Sequence, residues 1–192
     1  MDWILASASP RRKELLSEIV ASFEVLPATG EEVVQGSPAP GELVQMLASQ
    51  KAEEVASRAE AKGKAVIGSD TVVALDGEIL GKPKTPEHAK QMLKALSGRS
   101  HEVYTGVCMI YPTQASVKKL VSAACTKVYF LPLTDVQIDA YVASGSPMDK
   151  AGAYGIQDGG LVERIEGSFS NVVGLPLELC REMVARVEEE KY

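Results

Sequence analysis

Strand-like and helix-like segments alternate along this chain, and their order predicts an α/β fold around a mixed sheet. Short apolar runs bounded by turn-forming residues indicate buried strands, and apolar residues at helical spacing indicate amphipathic helices. The order is strand and helix, strand and helix, hairpin, helix, hairpin and helix, which is typical of helices packed on one sheet. The predicted strands are Ile4–Leu5, Phe23–Leu26, Ala65–Gly68, Val72–Leu75, Glu78–Leu80, Glu102–Tyr111, Val117–Leu131 and Leu161–Ile165, and the predicted helices begin at Pro10, Pro40, Pro86, Asp135 and Pro176.

Length and composition exclude several classes of protein. A chain of 192 residues suits one large domain, so we expect residues 1–192 to form a single domain. The net charge of −6 argues against a nucleic-acid partner, because nucleic-acid binding needs an excess of Lys and Arg. No apolar run approaches the ~20 residues that span a membrane, and no signal-peptide pattern opens the chain, so we expect a cytoplasmic protein. Three widely spaced cysteines without a C-x-x-C pair are expected to be reduced core residues.

The first strand leads into a helix start that suits an anion. Ser9 stands at the N-cap position and Pro10 at the first helical position. The free backbone N–H groups of the first turn would then point outward beside Arg11, Arg12 and Lys13. Unpaired donors, the helix dipole and fixed positive charge all favour a phosphate. The alternative is an ordinary capped helix with solvated basic residues.

A second group of polar residues surrounds a predicted hairpin. Asp70 is expected to end a buried strand, where ligands of open α/β sheets bind. A two-residue turn at Asp76–Gly77 would place Thr71 opposite Lys82, roughly 5 Å apart on one face of the sheet. A loop one residue longer or shorter would instead set Asp70 opposite Lys82. The alternatives are a turn-capping aspartate and a solvated edge lysine.

The helix that begins at Pro40, expected to run to about Lys62, carries a lysine on its apolar face. Lys51 falls on the same stripe as Leu47, so its ammonium group either snorkels to solvent or reaches an anion. In the preceding loop, Glu31 or Glu32 could join Asp70 in an Mg²⁺ site, since Mg²⁺ usually takes one or two carboxylates plus water and substrate phosphates. The alternative for these glutamates is a solvated loop.

Other kinds of site are not supported by the sequence. His88 and His101 have no zinc-ligand spacing with each other or with the cysteines. The sequence contains no G-x-S-x-G, Walker A or G-x-G-x-x-G motif. The residues therefore indicate a phosphate-handling site with a metal and identify no substrate.

Seven short motifs spread over nearly the whole chain extend this interpretation. They are Ser7–Leu16, Gln50–Ala52, Gly68–Val72, Leu80–Pro83, Leu96–Arg99, Asp149–Gln157 and Val173–Pro176. In this order they resemble the Maf family of nucleoside triphosphate pyrophosphatases. The resemblance implies an elongated α/β fold with a cleft between two lobes, related in shape to the inosine triphosphate pyrophosphatases. It also implies hydrolysis of a nucleoside triphosphate to the monophosphate and pyrophosphate, as house-cleaning of the nucleotide pool.

The resemblance also implies a role for each site residue. Asp70 would activate water and help to hold Mg²⁺ or another divalent cation such as Mn²⁺, with Glu32 or Glu31 assisting, and we expect Glu32. The residues around the triphosphate would be Ser9, Arg12, Lys51 and Lys82, of which the two lysines are expected to be catalytic.

The base preference depends on three further positions. Arg12, Thr71 and Gln157 match the branch that prefers dTTP and UTP, and an amide such as that of Gln157 can donate and accept at a pyrimidine edge. Gln157 is followed by Asp158–Gly160 where the family more often has glycine directly. The alternatives are a nucleotide-binding regulator of cell division without turnover and a pyrophosphatase for modified purine nucleotides such as 7-methyl-GTP. The sequence leaves open whether the protein forms a homodimer.

Overall fold

The computed structural model describes residues 1–190. Within these residues, seven strands form one sheet, and six α-helices and several short 3₁₀ turns accompany it. The strands are β1 (Trp3–Leu5), β2 (Phe23–Val25), β3 (Ala65–Leu75), β4 (Glu78–Leu80), β5 (Ser100–Pro112), β6 (Val117–Phe130) and β7 (Val162–Glu166). The helices are α1 (Pro10–Ser17), α2 (Pro40–Ala56), α3 (Pro86–Leu96), α4 (Asp135–Ala143), α5 (Phe169–Val173) and α6 (Leu177–Glu189).

The sheet is mixed, as predicted. Its strand order is β2-β1-β3-β5-β6-β7, and β4 pairs with the far end of β3. Strand β1 runs parallel to β2 and β3, whereas the remaining pairs are antiparallel. The predicted long hairpin is confirmed as β5 and β6, and the predicted short hairpin as β3 and β4. In the short hairpin Leu75 pairs with Glu78 and Val73 with Leu80, which is the register that a two-residue turn requires.

The prediction that Asp70 ends a strand is wrong, because β3 continues unbroken through it. Asp70 pairs with Gly106 of β5, so the polar residues on either side stay in the ladder. Strand β1 pairs with β3 only as far as Leu5, which lies opposite Ile67. After Leu5 the chain leaves the sheet and leads into α1. Asp70 therefore lies in the middle of β3, just beyond the carboxyl end of the neighbouring strand β1.

Helix α2 lies unusually close to the sheet because two glycines lie beneath it. A Cβ atom on Gly68 would stand 2.4 Å from the carbonyl oxygen of Ala48, and one on Gly106 would stand 2.2 Å from that of Val44. Only glycine allows such an approach. Helix α2 ends at Ala56 and not near Lys62, and a 3₁₀ turn follows it.

Two large apolar clusters meet along β3. One contains Trp3, Ile67 and Leu175, with α1 and α6, and the other contains Val73 and Leu93, with α3 and α4. Asp70 falls between them.

The structure also tests what the sequence predicted for the cysteines and for membrane-spanning segments. The described cysteines are all free, and Cys108 and Cys180 are buried as expected, but Cys125 is exposed, because it stands on β6 with its side chain away from the core. Among residues 1–190, no helix is long and apolar enough to cross a membrane.

Candidate active site

A cavity of about 510 Å³ opens beside the middle of β3, where the two clusters meet. Its apolar side is formed by Leu43, Leu47, Val72 and Ile79, and its polar side by side chains from α1, α2, β3 and the segment before β7. The sequence-predicted site residues all line it: Ser9, Arg12, Glu32, Lys51, Asp70, Thr71, Lys82 and Gln157. Glu31 lines a neighbouring cavity instead.

Lys51 joins the two carboxylates of the site. Its ammonium group donates a hydrogen bond to Oδ1 of Asp70 and lies 2.9 Å from Oε1 of Glu32. The Asp70 side chain is only 13% exposed, so this contact is largely shielded from solvent. Of the two outcomes open for Lys51, the structure shows the one in which it reaches an anion. The close packing of α2 on the sheet makes this contact possible.

Arg12 is held by three hydrogen bonds on one wall of the cavity. Its Nε donates to the carbonyl of Gly174 at 2.8 Å, Nη2 to Oγ1 of Thr71 at 3.1 Å, and Nη1 to Oγ of Ser7 at 3.5 Å. Burial lowers the pKa of Arg12 from its ordinary value, and the nearby Asp70 carboxylate opposes this shift. A guanidinium remains charged at neutral pH, so the wall carries a fixed cation.

The N-terminus of α1 faces the same cavity. Ser9 caps the helix, as predicted, and its hydroxyl accepts from the backbone N–H of Arg12 at 3.4 Å. The neighbouring Arg11 forms an ion pair with Asp149 at 3.2 Å, which links α1 to the segment before β7. The sequence assigned no role to Asp149, although it lies inside one of the quoted motifs.

Lys82 lies two residues beyond β4. Within residues 1–190 its ammonium group has no hydrogen-bond or ion-pair partner, and it is exposed at the cavity. The paired region of the hairpin ends at Val73 and Leu80, so the ladder does not extend to Thr71 and Lys82. Lys82 is therefore a cation available to a ligand.

The segment that carries Gln157 is held by a polar network that the sequence did not predict. Tyr141 donates to Asp158 at 2.7 Å and accepts from the N–H of Gly155 at 3.0 Å. Burial raises the pKa of Tyr141, which keeps its hydroxyl a donor. Lys150 donates to the carbonyl of Ser146 at 2.6 Å. These bonds fix two short 3₁₀ turns, Ser146–Asp149 and Ile156–Asp158. Gln157 lies in the second of these turns and is exposed to the cavity.

A buried chain of hydroxyl groups lies behind the site. Oγ1 of Thr71 lies 2.9 Å from Oγ1 of Thr105, and Thr105 donates to the carbonyl of Asn171 at 3.0 Å. Thr105 and Asn171 are fully buried. Thr105 stands directly opposite Thr71 in the β3–β5 register, and that long-range pairing could not be deduced from the sequence.

Comparisons with known proteins agree with this arrangement. The profile of the Maf-like protein family matches residues 2–187. A dTTP/UTP pyrophosphatase of Carboxydothermus hydrogenoformans is 52% identical over 182 residues, which cover 93% of this chain and 95% of that protein. A dTTP/UTP pyrophosphatase of Thermococcus gammatolerans is 49% identical over 178 residues, with 92% and 91% covered.

A solved structure with low sequence identity also resembles this protein. The Ham1 protein of Staphylococcus aureus matches with a TM-score of 0.50 at 17% identity, over 97% of this chain and 99% of that one. At that identity the match shows a shared fold alone. Since the family profile covers almost the entire sequence and relatives at about half identity cover nine-tenths of it, this chain belongs to the Maf family.

Proposed function

We propose that this protein hydrolyses nucleoside triphosphates to the monophosphate and pyrophosphate, with dTTP and UTP as preferred substrates. The observation that carries the proposal is a shielded carboxylate, Asp70, in one cavity with Arg12, Lys51 and Lys82. Relatives at about 50% identity are named dTTP/UTP pyrophosphatases, which supports the same substrates here. A site built to place water beside a polyanion is what this reaction needs.

Each residue has a role in the proposal. Asp70 accepts a proton from the water that attacks the α-phosphorus. Lys51 holds Asp70 in place and, with Lys82, stabilises the charge that develops on the leaving pyrophosphate. Ser9 and the N-terminus of α1 bind phosphate oxygens.

A divalent cation fits the donor set of this site. Asp70 and Glu32 both contact one ammonium group, so their oxygens converge on one small volume. Among the described residues, no group of three or more His, Cys, Asp or Glu side chains is arranged to hold a metal. Two carboxylates suit Mg²⁺ or Mn²⁺, which Asp70 and Glu32 would hold together with water and substrate phosphates. The bound cation would neutralise phosphate charge.

Base selection is assigned to the wall that Arg12 and Thr71 form with Gln157. Arg12 and Thr71 are hydrogen-bonded to one another, and Gln157 lines the same cavity with a side-chain amide that has no hydrogen-bond partner among residues 1–190. Fixed donors and acceptors at a cavity wall can read the edge of a pyrimidine.

The decisive test is pyrophosphate release from a panel of natural and modified triphosphates, with and without Mg²⁺. We expect the highest kcat/KM for UTP and dTTP, and Asp70→Asn should lower kcat about 10²- to 10⁴-fold because a general base is lost. The matched control is Asp76→Asn in the turn of the same hairpin, outside the cavity, which should retain activity within about twofold.

Other results of this panel would point to other functions. Near-wild-type turnover by Asp70→Asn would exclude Asp70 as the base. Binding of UTP without any pyrophosphate release would favour a nucleotide-binding regulator. Preference for modified purine nucleotides would contradict the proposed role of Arg12, Thr71 and Gln157.

A further inference from the structure

The hydroxyl of Thr71 belongs to a chain of hydrogen bonds that leads from the cavity wall into the core. Nη2 of Arg12 lies 3.1 Å from Oγ1 of Thr71, which lies 2.9 Å from Oγ1 of Thr105. Thr105 in turn lies 3.0 Å from the carbonyl oxygen of Asn171. Thr71 lines the cavity, whereas Thr105 is fully buried behind it.

The direction of every hydrogen bond in this chain follows from its two ends. A carbonyl oxygen cannot donate, so the contact between Thr105 and Asn171 requires the hydrogen of Thr105. Thr105 then has only lone pairs left for Thr71, so Thr71 must donate to it. At the other end, a guanidinium can only donate, so Thr71 accepts from Arg12.

This direction leaves Thr71 with one kind of hydrogen-bonding capacity towards a ligand. A hydroxyl has one hydrogen and two lone pairs. The hydrogen is used by Thr105 and one lone pair by Arg12, so what remains is a single acceptor position.

The carbonyl at the buried end is itself fixed. The side-chain amide of Asn171 donates to the carbonyl of Val103 at 3.0 Å and to Oγ1 of Thr126 at 2.9 Å. These bonds tie α5 to β5 and β6, so the acceptor for Thr105 cannot turn away without breaking buried hydrogen bonds.

We propose that Thr105 is a positioning residue for base selection, because it keeps Thr71 an acceptor and so makes the site select a base edge that donates an N–H. Uracil and thymine present such a donor at N3, whereas cytosine presents an unprotonated ring nitrogen there. The proposal rests on the pyrimidine substrates assigned above and adds the residue that enforces discrimination against CTP.

The test replaces Thr105 with valine, which has the same shape and no hydroxyl. Without an acceptor behind it, the hydroxyl of Thr71 can turn and donate to a ligand, so N3 of cytosine becomes acceptable. We expect the ratio of kcat/KM for UTP to that for CTP to fall about tenfold, chiefly through a gain for CTP. Thr105→Ser retains the hydroxyl, so this variant should keep the wild-type ratio of kcat/KM for UTP to that for CTP.

Thr126→Val is the matched control. Thr126 is also a fully buried threonine hydrogen-bonded to Asn171, but the hydrogen-bond partners of its hydroxyl group within residues 1–190 are Ser168 and Asn171 and do not include Thr71. A purely structural effect would lower both kcat/KM values together and would appear in Thr126→Val as well. An unchanged ratio in folded Thr105→Val, or an equal change in Thr126→Val, would overturn the proposal.

Two further arms keep the result interpretable. If Thr105→Val shows no cooperative thermal unfolding, Thr105→Cys takes its place, since a thiol of similar volume is a weak donor and acceptor. If the wild type releases no pyrophosphate from any triphosphate, the proposed function fails on its own. The same variants are then compared by calorimetric binding of UTP and CTP, and an unchanged affinity ratio overturns the role of Thr105.

Discussion

At the scale of single residues, the site depends on one ammonium group that lies between two carboxylates. Lys51 contacts both Asp70 and Glu32, and a cation bound by those carboxylates would share their oxygens with the lysine. The charge of Lys51 therefore has two effects: it orients Asp70, and it competes with the metal for the same ligands.

Replacing Lys51 with methionine separates these two effects. Lys51→Met keeps the length of the side chain and removes its charge, so we expect kcat to fall about 100-fold, as for loss of one electrostatic contact in a transition state. The Mg²⁺ concentration needed for half-maximal activity should fall as well, because the ammonium no longer competes. Both quantities come from steady-state rates over a magnesium titration at saturating UTP.

The control for this prediction is Lys90→Met. Lys90 is also a helical lysine in an ion pair, with Asp139, but it lies outside the cavity. We expect its rate and its magnesium requirement to match the wild type. An unchanged magnesium requirement in Lys51→Met would contradict the shared-ligand interpretation.

The sequence predicted which polar residues would gather, but not how they are connected. Lys51 could be singled out because a lysine on an apolar stripe needs an anion, and Asp70 because it follows a buried run. Thr105 has no such signal: a threonine in a strand is ordinary, and only its position opposite Thr71 gives it a role. The ion pair between Arg11 and Asp149 likewise joins residues far apart in the chain.

At the scale of elements, the position of α2 determines the geometry of the site. This helix carries Lys51, and its backbone rests on Gly106 and Gly68 with no room for a Cβ atom. The carbonyl oxygens of Val44 and Ala48 form that contact, and backbone cannot move aside as a flexible side chain can.

Gly106→Ala is therefore expected to displace α2. A Cβ atom 2.2 Å from the Val44 carbonyl oxygen forces the helix outward, at an expected loss of about 1 to 3 kcal/mol in the free energy of unfolding. Since Lys51 moves with the helix, kcat should fall as well. Chemical denaturation and UTP turnover measure the two effects.

Gly41→Ala is the matched control, in the first turn of the same helix. A Cβ atom there would meet the ring of Tyr104 at 3.7 Å, an ordinary contact. The variant should be as stable as the wild type or slightly more so, because alanine restricts the unfolded chain. Equal stability for Gly106→Ala and the wild type would show that α2 is not held at this crossing.

Local sequence patterns predicted most elements but misplaced some of their ends. The turn at Asp76–Gly77 set the register of the short hairpin correctly. The polar run at 69–71 is typical of a turn, yet pairing with β5 keeps it in a strand, and this pairing is invisible locally. Helix α5, of five residues, is too short to show a periodic pattern.

At the scale of the whole molecule, we propose that residues 1–192 form a single domain. Strands β3 and β5 contribute to both large clusters: Ile67 and Met109 belong to one, and Val73 and Val103 to the other. Separating the clusters would break both strands in their middle. Unfolding followed by the fluorescence of Trp3, in one cluster, and by circular dichroism should therefore give coincident transitions.

His101 gives the protein a predictable dependence of stability on pH. It is buried between the rings of Phe130 and Tyr154, with Nε2 at 2.7 Å from the tyrosine hydroxyl. Burial lowers the pKa of His101 from 6.5 to about 4. Between these pH values the unfolded chain binds a proton at His101 that the folded chain does not. The stabilising contribution of neutral His101 is therefore fully present above about pH 6.5, and the free energy of unfolding falls as the pH drops towards 4. A shift of this size corresponds to about 3 kcal/mol.

We expect the free energy of unfolding to depend less steeply on pH in His101→Phe than in the wild type. Denaturant unfolding at several pH values from 7 to 4.5 gives the free energy of unfolding, and His101→Phe should remove His101's share of the loss because phenylalanine has no proton to bind. Tyr154→Phe serves as the control: it removes the hydroxyl partner but leaves the imidazole buried, so the slope should persist. Carboxylates that titrate below pH 5 affect all three proteins alike, and the comparison cancels their contribution. Parallel curves for the wild type and His101→Phe would mean that the folded protein accommodates a charged imidazole, which the apolar ring contacts around His101 oppose.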